Sequence, residues 1–556
     1  MCHGSAFPLA WLKQSPRLVC RPSPQSTTRR LNYTRQTGGL RAMTSSEKGA
    51  SLEERSVAGS FLFKIPNGDR TQAKVALFRR SGKVKTYRHK LAPCSGTVEK
   101  YDKNPLDAAF REIREETNLP ASSLDLLCFG KPYSFVDESI NREWNIYPFA
   151  FRLKDIAEGG KGEAGIALDW EHEAIEWFDP LQVNESDEFG GVPRLVDSLR
   201  RVWPEYDLGP EAGRALTEGL KRIRLDRQHG ASELANVAVS TLREVTRLFL
   251  SHPVGEDWWP KVRMAAWHIC QSRPSMGTAI TGAIYCALDR IRLCYPNTCT
   301  IPEASRIDEA LACVIADRMD SNYRIRRFFK QYISLFVLPN RGGHKKTSIS
   351  VLTLSSSSTV LNCLSHLEVG LDLRILESRP LFEGVTAASK LLKSPSKSDL
   401  KVTLYSDASA ALAARDIDVL ILGADRISSA GDVSNANGSL PAVLSARHVS
   451  PDVKVLVVSD CEKIAGPGSV DEHESEENLP WELWRSWKGV VAGVEVIEDA
   501  LARNDPRVAI KNCSFEWVPG NLIDGYITNQ EIWSKEEIQK YSESVSKTSE
   551  YMFGEL

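Results

Sequence analysis

A multidomain α/β chain is predicted by three changes of pattern along its 556 residues. Alternating strand-like runs surrounding one polar helix come first, and helical periodicity follows. Near-continuous apolar runs separated by helices fill the last third, as buried parallel strands do. At about 150 residues per unit, length alone predicts three or four units.

The elements follow in order. From Ser60, SFLFKI, KVALFRR and VKTYRHKLA read as strands divided by glycine-containing turns. A short helix comes next, then the strands LDLLCFG, NIYPFAFRL and EAIEWFDP and the helix PRLVDSLRRVW. These make a domain over 56–206, with EGGKGEAG (158–165) as a surface loop and DLGPEAG as a linker. Apolar residues at helical spacing then define a helical subdomain over 213–336. Its aromatic and methionine positions are expected in the core. SISVLTL, LDLRILES, KVTLYSD, DVLILGAD and VKVLVVSD alternate with helices such as EGVTAASKLL and SDASAALAAR, which predicts a Rossmann-like doubly wound sheet over 337–535. No G-x-G-x-x-G opens it, so no dinucleotide cofactor is expected. Residues 536–556 form a C-terminal tail, and GPGSVDEHESEENLP (466–480) reads as an acidic loop.

Residues 1–55 differ in composition. Lys13, Arg17, Arg21, Arg29, Arg30, Arg35 and Arg41 precede the first acid, Glu47, which suits a mitochondrial transit peptide. Pro16, Pro22 and Pro24 suit a disordered extension instead, and with it a cytoplasmic protein. Overall composition is that of a globular protein, with 42% hydrophobic and 26% charged residues. A net charge of −2 gives no reason to expect direct nucleic-acid binding or an anionic membrane. No apolar run approaches the roughly 18 residues of a membrane span. The twelve cysteines include no C-x-x-C pair, which argues against a zinc ribbon and for reduced thiols. Cys128, Cys286 and Cys313 lie in apolar surroundings and are expected in the core.

The richest chemistry lies in the short helix. Asn104 caps it, Pro105 suits its first turn, and Asp107 completes a capping-box-like pair. Asn118 is placed to end it in a left-handed conformation, with Pro120 beyond. Glu112, Glu115 and Glu116 then fall at i, i+3 and i+4 and share a face. Three like charges repel there unless a cation joins them, and hard oxygen ligands suit Mg²⁺, which commonly bridges to phosphate.

The segment GTVEKYDKNPLDAAFREIREETNL resembles the Nudix box, in which a glycine precedes Arg-Glu-Φ-x-Glu-Glu-x-Gly-Φ, Φ being apolar. Relative to Arg111, Gly96 stands one residue early. Lys103 occupies the upstream glutamate position with Asp102 beside it, and Asn118 replaces the closing glycine. The resemblance implies an α/β/α sandwich and an Mg²⁺- or Mn²⁺-dependent hydrolase of nucleoside diphosphate derivatives. In it Glu112, Glu115 and Glu116 hold the metal, Arg111 orients them, and Gly96 belongs to the substrate loop.

Polar residues end several C-terminal strands: Ser355, Glu377, Asp407, Asp425 and Asp460. Open parallel sheets bind ligands outside those ends, so the row outlines a crevice. Asp407 and Asp460 are expected only to cap helices. The strings VLTLSSSSTVL, ILESRPLFEG, LILGADRISSAGDVSNANGS and FEWVPGNLIDGYITN are similar, in order, to one superfamily. It joins the regulatory subunits of translation initiation factor 2B to methylthioribose-1-phosphate isomerase and ribose-1,5-bisphosphate isomerase. HGASELA and SRPSMGTAI match its helical part. The resemblance implies a crevice formed by Gly230, Ala231, Arg273, Ser355, Arg379, Asp425 and Asn435, a homodimer, and a sugar-phosphate or nucleotide ligand.

The isomerases use a cysteine where this chain has Ser355. His229, Glu383 and Ala436 replace an arginine, a glutamine and a lysine of the pattern, while Arg273, Arg379 and Arg426 remain. Arg379 and Arg426 have Glu377 and Asp432 as alternative, purely structural partners. These departures favour a regulatory binding module over an aldose–ketose isomerase. The combined expectation is a Nudix-type hydrolase fused to an initiation-factor-2B-like module. The alternative is a non-catalytic translation regulator, an exchange-factor-like subunit associating with initiation factor 2, that uses the Nudix fold as a sensor.

Overall fold

A computed structural model describes residues 52–226, 229–296, 300–338, 347–393, 399–468, 479–503 and 505–556. The basic extension up to Ser51 and most of the acidic loop at 466–480 lie outside the described residues.

The N-terminal part contains β1 (Glu53–Lys64), β2 (Lys74–Arg80), β3 (Leu91–Ala92), β4 (Cys94–Thr97) and α1 (Pro105–Thr117). It continues with β5 (Leu124–Phe129), β6 (Tyr133–Asp137), β7 (Arg142–Leu153), β8 (His172–Phe178) and α2 (Leu195–Arg200). The strands form a mixed sheet with the path β3-β2-β1-β7-β5, to which β4, β6 and β8 add through β1, β7 and β2. Alternation along β1 explains the layering. Ala58 and Leu62 face the core beneath α1, whereas Phe61 and Phe63 face the core beneath α2 and Trp203. The expected strand VKTYRHKLA is largely a turn. Tyr87 and His89 have φ of 51° and 61°, which breaks the extended run, and only Leu91–Ala92 pairs.

Where a linker was expected, α3 (Glu205–Leu225) continues through Asp207–Gly213, kinked at Gly209 with φ 77° ahead of Pro210. The helical part follows with α4 (Ala231–Phe249), α5 (Trp258–Cys270), α6 (Gly277–Cys294), α7 (Ala304–Met319) and α8 (Ser321–Tyr332). Leu234, Ala238, Leu242 and Val245 place one face of α4 in its core. Cys286 and Cys313 are exposed on α6 and α7 rather than buried, because the apolar faces of those helices turn the other way.

The C-terminal sheet is built from β9 (Ser348–Thr353), α9 (Ser358–Ser365), β10 (Gly370–Leu376), α10 (Glu383–Leu392), β11 (Leu400–Tyr405), α11 (Ala410–Ala413) and β12 (Val419–Leu422). After β12 come β13 (Arg426–Ile427), β14 (Val433–Ala436), α12 (Ser439–Val449), β15 (Lys454–Val458), α13 (Pro480–Arg485) and α14 (Val494–Ala502). The chain closes with β16 (Phe515–Val518), β17 (Gly525–Ile527), β18 (Ile532–Trp533) and α15 (Lys535–Phe553).

The main sheet has the order β11-β10-β9-β12-β15-β17-β18, parallel except at β18. Both faces are covered. Leu420 and Leu422 point to one core and Val419 and Ile421 to the other, which explains the uninterrupted apolar runs. The expected tail is α15, whose Met552 and Phe553 return into the core of the helical part. No helix among the described residues is long and apolar enough to cross a membrane.

Candidate functional sites

The carboxylate helix forms as its sequence dictates. The Asn104 side chain accepts from the Asp107 amide at 3.0 Å, and Asn118 closes the helix at φ 58°. The three glutamates are graded by depth rather than equivalent. Glu116 is 4% exposed, Glu112 is half-buried, and the Glu115 side chain is 53% exposed.

Arg111 is the cation among them. Its guanidinium lies 2.6 Å from Glu112 Oε1 and 3.2 Å from Glu115 Oε2. Its Nε and Nη2 grip Asp102 in a bidentate pair at 3.0 and 2.8 Å, and Nη2 also reaches the Thr97 carbonyl at 2.9 Å. Asp102, not Lys103, therefore supplies the upstream carboxylate. Counting back from Arg111 missed it because the loop absorbs one extra residue. The Glu99–Asp102 turn, closed by Glu99 N to Asp102 Oδ2 at 2.8 Å, brings the acid back onto the arginine.

Gly96 has a steric role. An added Cβ there would stand 2.0 Å from Glu112 Cδ, so the bare backbone leaves the space this carboxylate fills.

Behind the helix, Glu116 accepts from the Ser95 amide at 3.3 Å and hydrogen-bonds the Cys94 thiol. His172 Nε2 stands 3.7 Å away, with its Nδ1 3.4 Å from Asp169. Burial pushes Glu116 well above the usual carboxylate range, and Glu112, Glu171 and Asp169 add to this. Burial likewise raises Glu112, and Arg111 opposes it. Sequence reading missed Asp169, Glu171 and His172 because they come from a loop and strand more than 50 residues further on.

Among the described residues no three His, Cys, Asp or Glu side chains already converge on a metal position. The donor set nonetheless fits a hard divalent cation. It consists of oxygen ligands, one of them buried among like charges, and a positive ion would relieve that repulsion.

In the C-terminal sheet the order reverses between β9 and β12, so the switch point lies where Ser355 and Asp425 leave those strands. Gly423 lets the two loops touch, since a Cβ there would meet Ser357 Oγ at 2.8 Å. Ser355 sits at φ 62°, its amide donating to Ser378 Oγ at 2.8 Å and its hydroxyl to Glu383 Oε2 at 2.7 Å. Burial raises the Asp425 carboxyl, Lys463 opposes this and Glu383 reinforces it. Asn435 donates to Ser439 Oγ at 2.8 Å beside Gly423.

Arg379 pairs with Glu377 at 3.0 Å and keeps 48% of its side chain exposed. Asp432 accepts from Ser428 and from the Gly520 amide. Asp407 is not the expected cap, since Ser406 holds that position; its carboxylate receives the Ser378 and Arg379 amides, each at 2.8 Å, and fixes that wall of the crevice. Asp460 caps the turn after β15 and also accepts from the Ser321 hydroxyl.

Gly230 and Ala231 begin α4, and Arg273 donates to the Asp226 carbonyl beside them. Arg318 ties the first turns of α4 to the sheet. It reaches Asn236 Oδ1 at 2.7 Å, the Ser232 carbonyl at 3.1 Å and the Glu462 carboxylate.

Comparison with known proteins bears on both sites. The model described as the Initiation factor 2 subunit family matches residues 227–535. The chain belongs to that family. The NUDIX domain model matches residues 63–198, so this member carries a Nudix domain ahead of the family region.

Among its relatives, methylthioribose-1-phosphate isomerase of Pseudomonas syringae pv. syringae (strain B728a) is 23% identical over 401 residues, 68% of this chain and 96% of that protein. The enzyme of the same name from Yarrowia lipolytica is 28% identical over 40% of this chain, and the match spans 61% of that protein's length. Two solved structures from Pyrococcus horikoshii OT3 resemble it with low TM-scores. Translation initiation factor eIF-2B gives 0.41 at 20% identity, covering 58% of this chain and 97% of that one. The 5-methylthioribose 1-phosphate isomerase gives 0.42 at 19%, covering 60% and 87%.

Proposed function

We propose that the Nudix domain is a hydrolase of nucleoside diphosphate derivatives and that the initiation-factor-2B-like region binds a sugar phosphate or nucleotide as a regulatory module. The reading rests chiefly on one observation: Arg111 gathers Asp102, Glu112 and Glu115 while Glu116 stays buried behind them. Glu112, Glu115 and Glu116 would hold Mg²⁺ or Mn²⁺, which when bound supplies positive charge to a diphosphate and favours attack by water. Arg111, locked by Asp102, keeps the acids in place. Burial among like charges makes Glu116 a strong cation ligand. Gly96 opens the floor on which Glu112 rests.

A homodimer through the C-terminal sheet and an association with initiation factor 2 belong to this proposal as properties of the family resemblance. The test is product release from a panel of nucleoside diphosphate derivatives in Mg²⁺. The unaltered chain is expected to turn over at least one of them, and Glu115→Gln to lose about 100-fold or more. No turnover, or equal turnover by Glu115→Gln, rejects the hydrolase and leaves the Nudix domain as a ligand sensor.

A second reading of the crevice, as an aldose–ketose isomerase, is favoured by the Ser355–Glu383 hydrogen bond. A carboxylate stands on one side of the switch point and a raised carboxyl on the other. That pair offers a base and an acid without the family's thiol.

A further inference from the structure

His172 opens β8 with a side chain only 1% exposed, packed against Phe78 with 5.1 Å between ring centroids. Two acids from separate segments face its two nitrogens. Glu116 of α1 stands 3.7 Å from Nε2, and Asp169 of the loop before β8 stands 3.4 Å from Nδ1. Nδ1 is buried and makes no hydrogen bond, although Asp169 is close enough to supply one after a small shift. A buried polar atom left unpaired is costly, so the ring and Asp169 are drawn together.

Asp169 in turn orders its loop. Its Oδ1 accepts the Glu171 amide at 3.0 Å, and its own amide donates to the Glu116 carbonyl at 3.3 Å. A neutral imidazole has one N–H and one lone pair, so it donates to one of the two acids at a time. Glu116 already accepts from the Ser95 amide and meets the Cys94 thiol. Asp169 is the nearer acid and faces the unpaired nitrogen. With the proton on Nδ1 the ring serves Asp169 and places no N–H on Glu116.

We propose that His172 is a positioning residue of the acid row: its Nδ1–H engages Asp169, which seats the loop carrying Glu171 against α1 and leaves Glu116 free for a cation. This inference rests on the metal-binding reading of that row.

The test is Mn²⁺ binding to the full chain by electron paramagnetic resonance, counting the binding that Glu116→Gln abolishes. The side-chain amide of His172→Asn reaches the place of Nδ1, and that of His172→Gln the place of Nε2. His172→Gln and His172→Phe should weaken Mn²⁺ about 10- to 100-fold, as loss of a group orienting metal ligands does, with recovery in His172→Asn. Thermal unfolding of the Asn and Gln variants should coincide, which separates this difference from a loss of folding. Equal weakening in all three variants overturns the inference, as does recovery in Gln instead of Asn or an unchanged Kd in Phe. A chain that binds Mn²⁺ with the expected pattern yet hydrolyses no nucleoside diphosphate derivative supports the positioning role and rejects hydrolysis. Turnover that is equal in the unaltered chain and His172→Phe, with equal Kd, rejects the positioning role alone, and no Mn²⁺ binding by the unaltered chain rejects both.

Discussion

The acid row on α1 and the crevice between β9 and β12 handle charge in opposite ways. On α1, Arg111 pairs with half-buried Glu112 and exposed Glu115 while burial among like charges raises Glu116, so the site is arranged to receive positive charge. In the crevice, Glu383 is engaged by the Ser355 hydroxyl, and the raised Asp425 carboxyl lies within the field of Lys463. Acids are crowded on one helix face in the first and joined to a hydroxyl and a lysine in the second. Under the proposed reading the same residue types serve metal and diphosphate binding in one place and sugar-phosphate or nucleotide binding in the other.

The largest effect that could break this contrast is at Glu383. If the crevice moves protons, Glu383→Gln lowers conversion of an aldose 1-phosphate to its ketose by about 10²- to 10⁴-fold, read by carbonyl formation. Mg²⁺-dependent hydrolysis should be unchanged in the same variant. No conversion by the unaltered chain leaves the crevice a binding site and keeps the contrast intact.

The next effect lies where the Nudix domain meets the helical part. Phe129 packs edge-on against Trp267 at 5.9 Å, and Cys128 Sγ stands 3.6 Å from His268 Nδ1. Burial pushes His268 down to about 4. The unfolded chain then takes up this proton first, so stability is complete above about pH 6.5 and is lost as pH falls toward 4. Denaturant titrations should show an acid-side loss of up to about 3 kcal/mol. His268→Gln should flatten that slope, and an unchanged slope would place the acid sensitivity elsewhere.

The smallest effect sharpens the acid row itself. Asp102→Ala should reduce turnover by about 10- to 100-fold, as loss of a residue orienting metal ligands does, with Asp102→Glu retaining more. Lys103→Ala should change little. Equal losses at 102 and 103 would argue that the loop, and not its carboxylate, sets the site.

Much of this was legible in the sequence where local rules act. The cap at Asn104, the left-handed end at Asn118 and the helix over 383–392 depend on neighbours within one or two turns. The central parallel strands β9, β10, β12 and β15 showed in their apolar runs because both faces are covered, whereas the edge strand β11 is only partly buried. The expected strand over VKTYRHKLA failed because two residues take positive φ, which alternation does not reveal. SRIDEALACVIADRMDSNYRIRRFFKQYISLF kept its helical period in sequence, yet it divides at Asp320 into α7 and α8.

The sequence by itself determined the two-part composition, the α/β class and the three glutamates with their arginine, since spacing along one helix fixes which side chains share a face. Only the tertiary structure decided that Asp102 holds Arg111, that Asp169, Glu171 and His172 join the row, and that Ser355 answers to Glu383. It also decided that the last helix returns into the core of the helical part. Such contacts join residues separated by loops of variable length, and chain closure over such distances depends on the packing of whole elements rather than on any local pattern.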